Sequence, residues 1–139
     1  PANKPREFVS TPACWRGSIG SNPNKIEWQP VSHPTGTARY RMAAIGTQLN
    51  NESIIAFIGG SVTPHHHDGT GIQQQAAEPD AKVWVYSVPQ QKWLAAADTT
   101  PIMDLRGLID INGEIYSVGG MLNGRQVTNK VIRHDIKLK

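Results

Sequence analysis

Hydrophobic and polar positions alternate along this chain in short runs broken by Gly, Pro and Asn, and nowhere do they take the 3.6-residue period of an amphipathic helix. That pattern predicts strands. The runs SIIAFIGG (53–60) and GEIYSVGG (113–120) superimpose without a gap, and each ends in Gly-Gly. Each is preceded by another β-rich run, RMAAIGTQL (41–49) and RGLIDI (106–111), and followed after a polar loop by a third, VWVYSV (83–88) and VIRHDI (131–136). In the first copy KWLAA (92–96) adds a fourth strand. Upstream, ACWRGSI (13–19), a turn at SNPNK (21–25) and IEWQPV (26–31) match a third and fourth strand, with Trp28 placed as Trp93 is. Nine strands are predicted in all.

The turn residues agree with this division. Asn112-Gly113 between two alternating segments suits a type I′ hairpin, which needs positive φ at both positions. Asn50-Asn51 is expected to do the same in a slightly longer connection, and Pro89–Lys92 links the third strand to Trp93. Ile55, Phe57, Val83, Val85, Ile115 and Val118 are the expected core, with Trp28, Tyr86 and Trp93 packed between layers.

Composition narrows the function classes. The formal charge is +3, but Lys and Arg are scattered, without the basic stripe and aromatic platforms that nucleic acid would require. Cys14 is the single cysteine, which excludes an intrachain disulfide and a cysteine-based zinc site. No apolar stretch approaches the roughly 20 residues of a membrane helix, so neither nucleic acid nor membrane is an expected partner.

The double glycine, an aromatic residue in the next strand (Tyr86) and a Trp seven residues later (Trp93) resemble the kelch repeat, in which each repeat forms one four-stranded blade of a β-propeller. The resemblance covers about residues 13–138. It implies an all-β fold of kelch-type propeller blades, about two to two and a half four-stranded antiparallel blades in an incomplete ring. Residues 1–12 are an N-terminal extension, 13–31 a partial blade, 39–97 a complete blade with a long loop at 61–82, and 103–139 a final blade lacking its fourth strand. His134 departs from the pattern by standing where Tyr86 stands. Closed propellers have about four to eight blades. The remaining blades are therefore expected from the same protein or from a second chain.

If strands run alternately up and down, the loops after each Gly-Gly and the loops entering each first strand share one end. This gathers His33, Arg39, His65, His66, His67, Asp68, Arg106 and Arg125, and in kelch-like propellers that face commonly binds the ligand, as the resemblance implies. Arg39, His33, His65, His67, Asp68, Arg106 and Arg125 are the ligand-binding candidates, and the occupant they suit is an acidic glycan or an acidic protein segment. The loop 61–82 makes the span from Gly60 to Tyr86 26 residues, against 14 from Gly120 to His134, and long loops on a rigid scaffold are often functional or disordered. The histidine run is also consistent with a solvated polar loop, and Arg106 with an ion pair to Asp104. Consecutive histidines cannot easily converge on one ion, so neither a metal nor any other cofactor is expected.

Two functions stay open. One is recognition through the loop face. The alternative is part of a sugar-acting enzyme resembling the bacterial kelch-type sialic acid epimerases, with Asp68, Asp104 or Glu78 as candidate base; catalytic residues are otherwise unidentified. Copper radical oxidases of this fold require a cysteine–tyrosine cross-link and paired histidines with no convincing match here, and no Gly-x-Ser-x-Gly is present. The compartment is not fixed by the sequence; a periplasmic or extracellular location follows only from the resemblance.

Overall fold

The computed structural model describes residues 11–63, 76–105 and 107–139. The fold is all-β, with several antiparallel sheets, none of them closed. Strands β1 (Cys14–Ile19) and β2 (Ile26–Val31) form a hairpin. Strands β3 (Ala43–Leu49), β4 (Glu52–Ile58), β5 (Val83–Ser87) and β6 (Lys92–Leu94) follow one another as a four-stranded meander. Strands β7 (Ile109–Ile111), β8 (Glu114–Val118) and β11 (Val131–His134) make a three-stranded sheet in the order β11-β8-β7. Between β8 and β11, where only a polar loop was expected, β9 (Met121–Leu122) and β10 (Gln126–Val127) pair across a 3-10 turn at Asn123–Arg125.

Local chemistry explains the tight turns. Asn112 and Gly113 have φ of 56° and 83°, with Ile111 opposite Glu114, as a two-residue hairpin of the primed type requires. Asn50 and Asn51 have φ of 50° and 64°, and Leu49 pairs with Glu52. This connection is therefore also a two-residue turn, shorter than expected, because the short polar side chain of Asn tolerates the left-handed region.

The main core lies between the four- and three-stranded sheets. Alternation along β4 sends Ile54, Ala56 and Ile58 to one side, where with Val83 and Val85 they pack against Ile115, flanked by Leu108 and Ile136. Burying an aliphatic side chain of this size stabilises by about 1.5–3 kcal/mol. Val83, Val85 and Ile115 are thus core as expected. Ile55 and Phe57 instead point the other way, half-buried beneath the β1–β2 hairpin, and Val118 is exposed. Strand β4 is apolar on both faces, so its pattern cannot select the inner one. Strand β5 is buried at all five positions because both faces are covered, the second by the hairpin. Three layers result: hairpin, four-stranded sheet, three-stranded sheet.

The Gly-Gly corners are explained by a close approach. Ile102 and Met103 are fully buried and run between the two corners. The Gly60 amide donates to the Ile102 carbonyl at 2.9 Å, and Met103 and Met121 exchange backbone bonds of 3.0 and 2.8 Å. A Cβ on Gly59 would collide with the Ile102 carbonyl, and one on Gly120 would lie 2.9 Å from the Met103 carbonyl oxygen. Beyond β6, the Ala97 amide donates to the Lys137 carbonyl at 2.8 Å and the Lys139 amide to the Ala95 carbonyl at 3.0 Å.

Candidate functional site

The loops entering β3 and β7 and the loops leaving β4 and β8 meet at one end of the sheets. Tyr40 and Ser61 pair across the mouth of the β3–β4 hairpin. The Asp80 amide donates to Gly60 at 2.7 Å and the Thr99 amide to Ala81 at 2.9 Å, which draws the segment before β5 to the same end. The two loops leaving β4 and β8 are joined by the Gly124 amide donating to the Glu78 carboxylate at 3.0 Å.

At the centre stands Trp84, reached from the loop 32–42. The Arg39 guanidinium carbon lies 3.8 Å from the Trp84 ring centroid, a cation–π distance. Its Nη1 donates to the Gly59 carbonyl at 2.9 Å and to the Lys82 carbonyl at 2.6 Å, and its Nε lies 3.8 Å from Asp80 Oδ2. Burial lowers the Arg39 pKa, while Asp80 and Asp98 oppose that effect. Nη2 is buried without a hydrogen-bond partner among the described residues. The His33 ring meets Trp84 edge-on, centroids 4.8 Å apart. His33 Nδ1 accepts from the Thr35 amide at 3.2 Å and the Gly36 amide at 2.9 Å, so the neutral ring carries its proton on Nε2. Burial, and then the charge of Arg39, holds its pKa below the ordinary histidine value.

Charged groups ring this cluster. Lys82 Nζ contacts both carboxylate oxygens of Asp98 at 3.0 and 2.8 Å. Arg41, with φ of 56°, pairs with Asp104 and stacks 4.9 Å over Tyr40. Arg125 is exposed at the end of the 3-10 turn on the loop leaving β8. The structure therefore brings His33 and Arg39 together on Trp84, with Arg125 on the neighbouring loop. His65, His67, Asp68 and Arg106 lie outside the described residues, as does His66. Among the described residues no group of three or more His, Cys, Asp or Glu side chains is placed to hold a metal ion.

Trp84, Asp80 and Asp98 were not singled out from the sequence. Trp84 sits in the apolar run VWVYSV, where nothing marks one aromatic as a platform for distant polar residues. The available signal was alternation: Trp84 and Tyr86 fall on the face opposite Val83 and Val85. No protein-family model matches the chain, and no curated protein matches it.

Proposed function

We propose that this chain is a segment of a kelch-type β-propeller and acts as a recognition module, binding an acidic glycan or acidic protein segment through the loop end around His33, Arg39 and Arg125. The observation that carries this reading is the convergence of two sheets' loops on one end, where a buried arginine and a histidine share one indole and the Glu78–Gly124 contact bridges the loops. A rigid sheet scaffold presenting loops of this kind is a common binding arrangement. Arg39 serves as the anchor: its bonds to Gly59 and Lys82 hold the loop entering β3 against the loops on either side of it. His33 Nε2 and the exposed Arg125 are the donors suited to a carboxylate. The Gly-Gly corners, the meander of four strands and the Tyr86–Trp93 contact at 5.1 Å support the kelch assignment.

The test is titration of the full chain with N-acetylneuraminic acid and, separately, with a polyglutamate peptide, followed by NMR of the His33 and Trp84 ring signals. Saturable shifts in one titration, weakened about tenfold (about 1.4 kcal/mol) by Arg125→Ala or His33→Ala, are expected. Absence of shifts with either ligand overturns the reading, and turnover of the sugar during the titration replaces it with the enzymatic one.

A further inference from the structure

Among the described residues, seven other than glycine have positive φ. Asn50, Asn51, Gln91, Asn112 and Arg125 lie in the connections between paired strands, where that backbone closes the turn. Arg41 and Asp104, with φ of 56° and 58°, lie in no such turn. They hold the same place in the two repeats, each following a residue bridged to the one just after Gly-Gly: Tyr40 to Ser61, and Met103 to Met121. Arg is poorly suited to the left-handed region, and residues held in sparsely populated regions of this kind cluster at ligand clamps and switch segments. Glycine would relieve both backbones but would remove the two side chains, which meet across 63 residues of sequence.

The contact is suited to exchange. One guanidinium nitrogen, Nη1, donates to one carboxylate oxygen, Oδ1, whereas a carboxylate set against both arms of the fork accepts two parallel bonds. The Arg41 side chain is 46% exposed and that of Asp104 20%, so the cation is the accessible member and the anion the sheltered one. The Tyr40 ring, 4.9 Å from the guanidinium carbon, supports the cation from one face. Neighbouring cations are less available: Arg39 is buried against the Gly59 and Lys82 carbonyls, and Lys82 meets both oxygens of Asp98. A ligand rich in carboxylates would bring its charges against Asp80, Asp98 and Asp104 at once, which costs affinity. A ligand with one carboxylate replaces Asp104 one for one.

We infer that Arg41 grips the carboxylate of a ligand that carries a single one, and that Asp104 holds the guanidinium in the free protein and releases it to the ligand. The inference rests on the recognition reading above and deepens it by naming the gripping residue, its internal competitor and the charge of the ligand. Asp104 is a positioning residue whose effect has a defined sign: while it occupies Arg41, it opposes binding.

The test is calorimetric titration of the full chain with N-acetylneuraminic acid, which has one carboxylate, and separately with polyglutamate. Asp104→Asn keeps the size of the side chain and a residue type that tolerates the left-handed region. It is expected to tighten sugar-acid binding about fivefold, since the competitor is gone. Arg41→Gln is expected to weaken binding about tenfold or more, and in the Arg41→Gln background Asp104→Asn is expected to change nothing. An equal gain from Asp104→Asn with and without Arg41 is a general effect of charge and overturns the inference, as does undiminished binding by Arg41→Gln. Circular dichroism checks folding. Should Arg41→Gln fail to fold, Arg41→Lys keeps the charge, loses the fork and is expected to weaken binding about threefold, with undiminished binding counting the same way. Polyglutamate bound in place of the sugar acid overturns the inference and leaves the recognition reading standing. Binding of neither ligand, by wild type or by Asp104→Asn, removes both.

Discussion

The guanidinium of Arg39 lies on the indole of Trp84, its carbon 3.8 Å from the ring centroid, while one of its nitrogens serves the carbonyls of both Gly59 and Lys82. A single side chain from the loop entering β3 thereby ties together the end of β4 and the start of β5. Replacing it with Ala would leave those carbonyls unsatisfied, at about 1–3 kcal/mol for each buried group, and is expected to destabilise the chain by about 2–4 kcal/mol in urea titration. Arg39→Lys is expected to recover less than half of that, since an ammonium lacks the planar fork that stacks and donates at once.

Glycine at the corners is a second quantitative test. Gly60 has φ of 84°, and a Cβ there would lie 2.8 Å from the Tyr40 carbonyl oxygen. Gly124 has φ of 69° with open space around it. Gly124→Ala is expected to cost only the left-handed backbone penalty of about 1–2 kcal/mol. Gly60→Ala adds a backbone collision and is expected to cost at least about 3 kcal/mol, measured by thermal unfolding of the two variants side by side.

The corner glycines also mark how far the sequence could be read. Strand positions, the Asn112-Gly113 turn and the special backbone at both Gly-Gly pairs were legible, because period-two alternation and positive φ are local properties. The inner face of β4 was not, since Ile54, Ile55, Phe57 and Ile58 are all apolar and only pairing register with β5 separates them. Nor was the role of Arg39, whose acceptors are backbone carbonyls 20 and 43 residues away and leave no trace in residue type. The β9–β10 hairpin was hidden by its shortness and by the polar GRQ that crosses it.

His134 supplies a pH test. Its ring is buried, with Nδ1 3.1 Å from Thr99 Oγ1 and Nε2 2.8 Å from Ser117 Oγ, and burial lowers its pKa from the ordinary value of 6.5. Below that value the unfolded chain binds protons that the folded chain resists. Stability is therefore full above about pH 6.5 and is lost as pH falls through the lower, folded-state value. In urea titrations between pH 8 and 5, His134→Gln is expected to be less stable than wild type at pH 8 and to decline less on acidification. His33 is lowered in the same direction, so the His33→Ala, His134→Gln double variant is expected to decline less on acidification than His134→Gln alone.

Trp93 tests how the hairpin is held. Its Nε1 donates to the Ser32 carbonyl at 2.6 Å, and its ring meets Phe57 and Tyr86 at 5.6 and 5.1 Å. Trp93→Phe keeps an aromatic contact and removes the donor. The global unfolding free energy is expected to fall by about 1 kcal/mol, while amide exchange in β1 and β2 accelerates more than exchange in β4 and β5.

The short ladder between Ala95–Ala97 and the 137–139 segment carries a consequence for the order of folding. Hairpins β3–β4 and β7–β8 close across two-residue turns and need no distant partner. The ladder instead encloses the whole three-stranded sheet within its loop, and closure entropy delays such contacts until the intervening chain is ordered. Its two hydrogen bonds are thus expected to form last, so protection at the Ala97 and Lys139 amides in pulse-labelled refolding would serve as a clock for the completed fold.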